Sequence, residues 1–115
     1  MMITRIYNDP QGESHFEDID IELYLAGKIG WLSDEIQVRS LLFREVEPAY
    51  NWDFHNAPRS QYIILLDGEI EIETSLGEKR KFKGGDIILA EDTEGKGHRT
   101  KNLIPEKRRS VFITL

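Results

Sequence analysis

His55, Gln61 and His98 are the residues whose types and spacing bring this chain nearest to chemistry. Imidazole titrates near neutrality, so each histidine suits proton transfer or metal ligation. Gln61 adds two donors and an acceptor that do not titrate, which suits orienting a neutral polar group such as a sugar hydroxyl or an amide. Acids flank the histidines: Asp53 lies two residues before His55, on the same face of an extended chain, and Glu91 and Asp92 precede His98. Lys96 and Arg99 place positive charge beside His98, at the rim of any site there, where it would attract an anion. The ligand-binding candidates are therefore His55, Gln61, His98, Asp53, Asp92 and Lys96, with His55 and His98 also the candidates for catalysis. A plainer role competes with each of them. A histidine inside a small barrel also satisfies backbone groups and fills space, and Gln61 would then only fix a ring orientation. His15 has no such neighbours and is expected at the surface.

The elements that must position these residues are strands. Ile19, Ile21, Leu23 and Leu25 alternate with Asp18, Asp20, Glu22 and Tyr24, and Ile70, Ile72 and Thr74 alternate with Glu69, Glu71 and Glu73. This period of two is the pattern of half-buried strands. Tyr62 to Leu66 and Ile87 to Ala90 are apolar on both faces, so each is expected to be covered on both sides. Asp67-Gly68, Gly77 and Gly84-Gly85 mark hairpin turns. A first short strand is expected around Ile3 to Tyr7, a bend or short turn over Ala26 to Leu32, and a strand from Val38 to Val46. No long amphipathic helix, repeat or linker is present. Eight or nine short strands in one small domain indicate a sandwich or a closed barrel.

Composition narrows the function classes. The 115 residues suit one domain, 1–115. The absence of cysteine excludes disulfides, thiolate metal ligands and a thiol nucleophile, and fits a reducing cytoplasm. No apolar run approaches the ~20 residues that span a bilayer, and the N-terminal residues lack the apolar core of a secretory signal. A net charge of −6 argues against a nucleic-acid surface. Two basic runs, Lys79-Arg80-Lys81-x-Lys83 and Lys107-Arg108-Arg109, are read as solvated loops, each preceded by a glutamate. The expected protein is soluble, cytoplasmic and globular, with no nucleic-acid or membrane partner.

The segment Phe54 to Gln61, followed by Gly68, resembles the first signature of the cupin family: His-x-His, three or four residues, Glu, six residues, Gly. His55 and Gly68 match; Ala57 stands for the second histidine and Gln61 for the glutamate. Gly85 to Gly95, His98 and Asn102 resemble the second signature, with Glu91 in place of the usual proline and a longer loop. The likeness spans Trp52 to Asn102 and is similar to a subgroup of small bacterial cupins of unassigned function. It implies an all-β fold, a cupin-type double-stranded β-helix or jelly-roll barrel, with His55, Gln61 and His98 turned into the barrel. Cupins commonly hold a divalent transition metal there. With two imidazoles and a neutral amide remaining, no metal cofactor is expected; if one binds, His55, Gln61 and His98 are its ligands.

On strand parity, Gln61, Ile63 and Leu65 face inward and Tyr62 outward. Trp52 and Phe54 are expected on the face opposite His55, where, with Ile64 and Leu66, they would form a homodimer interface. The reading is a small-molecule-binding cupin, metal-independent, with a polar metabolite in its cavity. Two alternatives stand beside it: a metal-independent sugar isomerase or epimerase using His98 or His55 as base, oriented by Asp53 or Asp92, and a metal-dependent dioxygenase or isomerase.

Overall fold

The computed structural model describes residues 1–115 as a two-sheet jelly roll. In chain order the strands are β1 (Met2–Asn8), β2 (Ser14–Asp20), β3 (Tyr24–Leu25), β4 (Trp31–Leu32), β5 (Ser40–Val46), β6 (Asn51–His55), β7 (Gln61–Leu65), β8 (Glu69–Thr74), β9 (Lys79–Lys83), β10 (Ile87–Glu91), β11 (His98–Asn102) and β12 (Arg108–Thr114). One sheet runs β2-β1-β10-β7-β12-β5 and the other β6-β11-β8-β9. A 3₁₀ turn, Gly27–Ile29, joins β3 and β4 in a separate small hairpin. No helix is long and apolar enough to cross a membrane.

The two sheets meet over Ile6, Phe16, Leu65, Ile70, Ile72, Phe82 and Ile88. These are the inward positions of six strands, as period two requires. Gly68, at φ 72°, turns β7 into β8. On the outer face of the smaller sheet Glu73, Glu71 and Glu69 lie opposite Lys79, Lys81 and Lys83. The first basic run is therefore β9 and not a loop. Its lysines face a glutamate ladder, and they charge an edge that would otherwise invite strand addition.

Three further expectations need correction. The alternation from Asp18 to Leu25 does not make one strand. β2 starts earlier and stops at Asp20, opposite Met2; Ile21 still exchanges hydrogen bonds with Met1, the last residue β1 can offer, and Glu22 onward has no partner there. The second basic run is also not a loop throughout: Arg108 opens β12 and is only 3% exposed, its side chain turned between the sheets. His15 lies in β2 and is partly buried, with Nε2 2.6 Å from Asp9 Oδ2.

The outer face of β7 and β10 is covered in part by the chain itself. Ile36 and Val38, ahead of β5, share an apolar groove with Tyr62, Ile64, Ile87 and Ile113. The cover is incomplete. Tyr24, Leu25, Ile29, Trp31, Leu32, Leu41 and Phe43 remain exposed, Phe43 by 80%.

Candidate functional site

Between the sheets, beside the core, lies a cavity of about 540 Å³. Its floor is the inward face of the core strands, with Ile63 and Leu65 on β7, Ile70 and Ile72 on β8, and Ile88 and Ala90 on β10. Its polar side chains come from both sheets. Gln61, the first residue of β7, is brought across from His55 at the end of β6 and His98 at the start of β11. The histidines are direct cross-strand partners, with ring centroids 4.7 Å apart.

Both imidazoles are fixed through Nδ1. His98 Nδ1 lies 2.5 Å from Asp92 Oδ2, and both side chains are buried. His55 Nδ1 donates to the Asp53 carbonyl at 2.9 Å. A carboxylate and a carbonyl can only accept from these nitrogens, so each neutral ring carries its proton on Nδ1 and keeps a lone pair on Nε2. Gln61 is buried, and no protein group hydrogen-bonds its side-chain amide. It does not serve merely to orient a histidine, and its donors and acceptor are available to a ligand. Asp92 Oδ1 is buried without a partner, so the carboxylate's only hydrogen bond goes to His98.

Asp53 and Lys96 are not part of this cavity. Between the pairs Trp52–Thr100 and His55–His98, β6 has two residues, Asp53 and Phe54, against Arg99 alone in β11. This is a β-bulge, and it shifts parity by one. Asp53 therefore points outward, with its side chain 87% exposed and 4.0 Å from Arg99. Phe54 lies under the same guanidinium on that outer face. Trp52, expected to face away, instead lines the cavity and stacks on His55 at 3.9 Å and 7°. Lys96 is exposed and ion-paired with Glu13, and Arg99 is held by Glu73 at 2.9 Å. Neither stands at the cavity rim.

Sequence reasoning missed Arg44, read Arg108 as solvated, and placed Tyr50 near the mouth without a role; all three line the cavity. A signal was present for two of them. Arg108 shares parity with the inward Phe112 and Thr114, and Arg44 with Leu42.

A cupin-type divalent metal does not fit this donor set. Both Nε2 atoms have suitable lone pairs, but Ala57 supplies no donor and Gln61 only an amide oxygen. No group of three His, Cys, Asp or Glu side chains converges. The same cavity also holds the guanidinium groups of Arg44 and Arg108, which oppose a dication.

Burial in the cavity is the main cause that holds the His55 imidazole below its ordinary titration range, against the opposing hydrogen bond to the Asp53 carbonyl; the nearby His98 and Arg44 add to the depression, and Asp92 works against it. An NMR titration is expected to give His55 a midpoint below about 6.5. Because the unfolded chain takes up this proton at higher pH, the His55 contribution to stability is complete above about 6.5 and is lost as the pH falls through the folded value. His55→Asn should flatten that acid-side loss. A midpoint at or above the unperturbed value contradicts this.

No protein-family model matches the chain, and no curated protein does. Solved structures do match. The cupin domain of Drosophila melanogaster CENP-C is 20% identical, with 82% of this chain and 76% of that one covered and a TM-score of 0.50. Protein NMB1881 of Neisseria meningitidis is 15% identical (70% and 78% covered, TM-score 0.49). The conserved SPY1581 protein of unknown function from Streptococcus pyogenes is 14% identical (72% and 68% covered, TM-score 0.48). At 20% identity the likeness to the CENP-C cupin domain concerns architecture alone, and with its two facing sheets the chain is a small cupin-type jelly roll.

Proposed function

We propose that this cupin-fold chain is a small-molecule-binding protein that holds one polar metabolite in its barrel without a metal. The observation that carries the reading is Gln61: a residue only 6% exposed, whose side-chain amide has no protein partner and is open to a largely apolar cavity that it shares with two histidines of fixed tautomer. Buried polar groups are ordinarily paired, and ligand pockets of this size combine apolar walls with a few convergent polar groups. Thermal unfolding against a panel of polar metabolites tests it. A ligand at a hundredfold excess over its Kd stabilises by about 2.7 kcal/mol. At least one class should do so, and Gln61→Leu should weaken it by about tenfold, the loss of one good hydrogen bond. No stabilisation across the panel, or equal stabilisation of the variant, overturns the reading.

The buried His98–Asp92 pair favours a second reading, a metal-independent isomerase or epimerase. Asp92 holds His98 with Nε2 free as a base, an arrangement suited to taking a proton from carbon beside a carbonyl. Solvent deuterium entering a bound sugar at that carbon would support catalysis. Its absence leaves binding alone.

The second copy we propose is a homodimer partner. β5 is an edge strand with Leu41 and Phe43 exposed on its outer face, and the separate hairpin of β3 and β4 also exposes apolar side chains. An uncovered edge beside an apolar row of this kind is a pairing surface. Sedimentation at micromolar concentration should give twice 13.4 kDa, and Phe43→Glu should return the monomer. A wild-type monomer contradicts the proposal. The cysteine-free, acidic chain fits a cytoplasmic protein that binds neither nucleic acid nor membrane.

A further inference from the structure

The end of the cavity away from Gln61 is built from cations that have no acid. Arg108 is almost wholly buried, and its one polar contact is Nε donating to Asn102 Oδ1 at 2.9 Å. Arg44, opposite Ser110 in the β5–β12 register, forms no ion pair; its guanidinium stacks over Tyr50 at 4.9 Å and Phe112 at 5.0 Å. Arg108 lies over the same tyrosine at 5.5 Å. Of the arginines outside, Arg5, Arg80, Arg99 and Arg109 each reach a carboxylate, on Glu91, Asp18, Glu73 and Asp67 respectively, while the exposed Arg39 and Arg59 are left to solvent; what sets Arg108 apart is burial without an acid. A chain with 21 acidic and 15 basic residues has acids to spare, yet none forms an ion pair with Arg44 or Arg108; Asp67, whose charge reaches Arg108, is bound to Arg109.

The fold makes room for this cation pair. At Gly68, a Cβ would stand 2.9 Å from Arg108 Cγ and 3.0 Å from Cδ, so the glycine of the β7–β8 turn lets the arginine stem pass inward. Two guanidinium groups sharing a largely apolar cavity repel each other, and burying either without an ion-pair partner is costly. Burial, followed by the charge of Arg44, lowers the affinity of Arg108 for its proton. An oxyanion between the two reverses this balance, because the guanidinium fork matches carboxylate and phosphate oxygens. The distances suit one small molecule. Phe112, beneath Arg44, pairs with Ile63, two residues from Gln61 along β7; that is about 7 Å of strand.

We infer that the ligand of this cavity is a small organic anion. Its carboxylate or phosphate is held by Arg44 and Arg108 beside Tyr50, and its uncharged polar part turns towards Gln61, His55 and His98. This rests on the reading of the cavity as a ligand site.

The test is an NMR titration of the folded chain with inorganic phosphate, with acetate, and with glycerol as a neutral probe, at matched ionic strength in chloride. At least one of the two anions should shift Arg44, Tyr50 and the Trp52 indole saturably. Arg44→Met should weaken that anion by about tenfold or more, as expected for a lost charge-assisted bond. Arg109→Met removes the same charge outside the barrel and should leave the affinity unchanged. Arg108→Met is expected to act like Arg44→Met; if its burial prevents folding, the half-buried Arg44 still decides the result. Preference between phosphate and acetate identifies the anionic group. Equal losses in Arg44→Met and Arg109→Met would mark surface electrostatics and overturn the inference. If glycerol shifts the cavity residues and neither anion does, the inference fails while the ligand site stands. If none of the three does, both fail.

Discussion

Alanine at position 97 should cost about 3 kcal/mol or more and pull the two cavity histidines apart. Gly97 has φ 71°, where a side chain is strained, and an added Cβ would collide with the carbonyl of His55 and crowd the amide of Asn56. Those neighbours are backbone and cannot swing away. The loop is also pinned on its other side, because buried Ser14 Oγ donates to the Gly97 carbonyl at 2.7 Å. Relief therefore comes only by moving β11 from β6, at the register where His98 pairs with His55. Gly77 provides the control, with φ 91° but open space around its Cβ position. Gly77→Ala should cost about 1 kcal/mol, the backbone term alone. Urea unfolding of both variants checks the difference, and equal midpoints would contradict it.

The second large effect is expected at Asp92. Asp92→Ala leaves the Nδ1–H of a buried imidazole without an acceptor and opens a small void, a loss of about 2–3 kcal/mol. Asp92→Asn should be milder, since its amide oxygen can still accept from Nδ1. It removes the carboxylate charge, however, and brings an NH₂ to the position where Asp92 Oδ1 has no partner. In ¹⁵N spectra the His98 ring should be an Nδ1–H tautomer in the wild type and a mixture in Asp92→Ala. An unchanged tautomer in Asp92→Ala would show that the carboxylate does not set it, and would remove the structural support for His98 as a base.

What could be read from sequence was whatever local period and turn chemistry decide. The alternation in β8, the Asp67-Gly68 turn and the short strands between glycine breaks suffice for an all-β jelly roll. Motif spacing was enough to name His55, Gln61 and His98 together. What escaped depends on pairing between distant strands. The bulge in β6 exists because β11 supplies one residue against two. That single extra residue sends Asp53 outward and brings Trp52 onto His55. Lys96 is taken up by Glu13, a partner 83 residues away. Arg108 sits between two exposed basic residues, so composition marks the run as solvated while the register of β12 turns its middle member inward.

The same distinction explains the chemistry. A charge inventory taken along the chain assigns the anion-attracting role to Lys96 and Arg99, because they adjoin His98. In the fold both are neutralised by glutamates on the outside. Arg44 and Arg108, which line the cavity from β5 and β12, have no ion-pair partner.

The most direct measurement is a crystal structure of tag-free protein, grown without transition-metal salts, with attention to the density between the two histidine Nε2 atoms and Gln61. A ligand pocket without a metal should show a small organic molecule or ordered waters hydrogen-bonded there. A fully coordinated cation bonded to both imidazoles would contradict it, and the neutral amide and vacant Ala57 position would then have to be read as an unusual metal site.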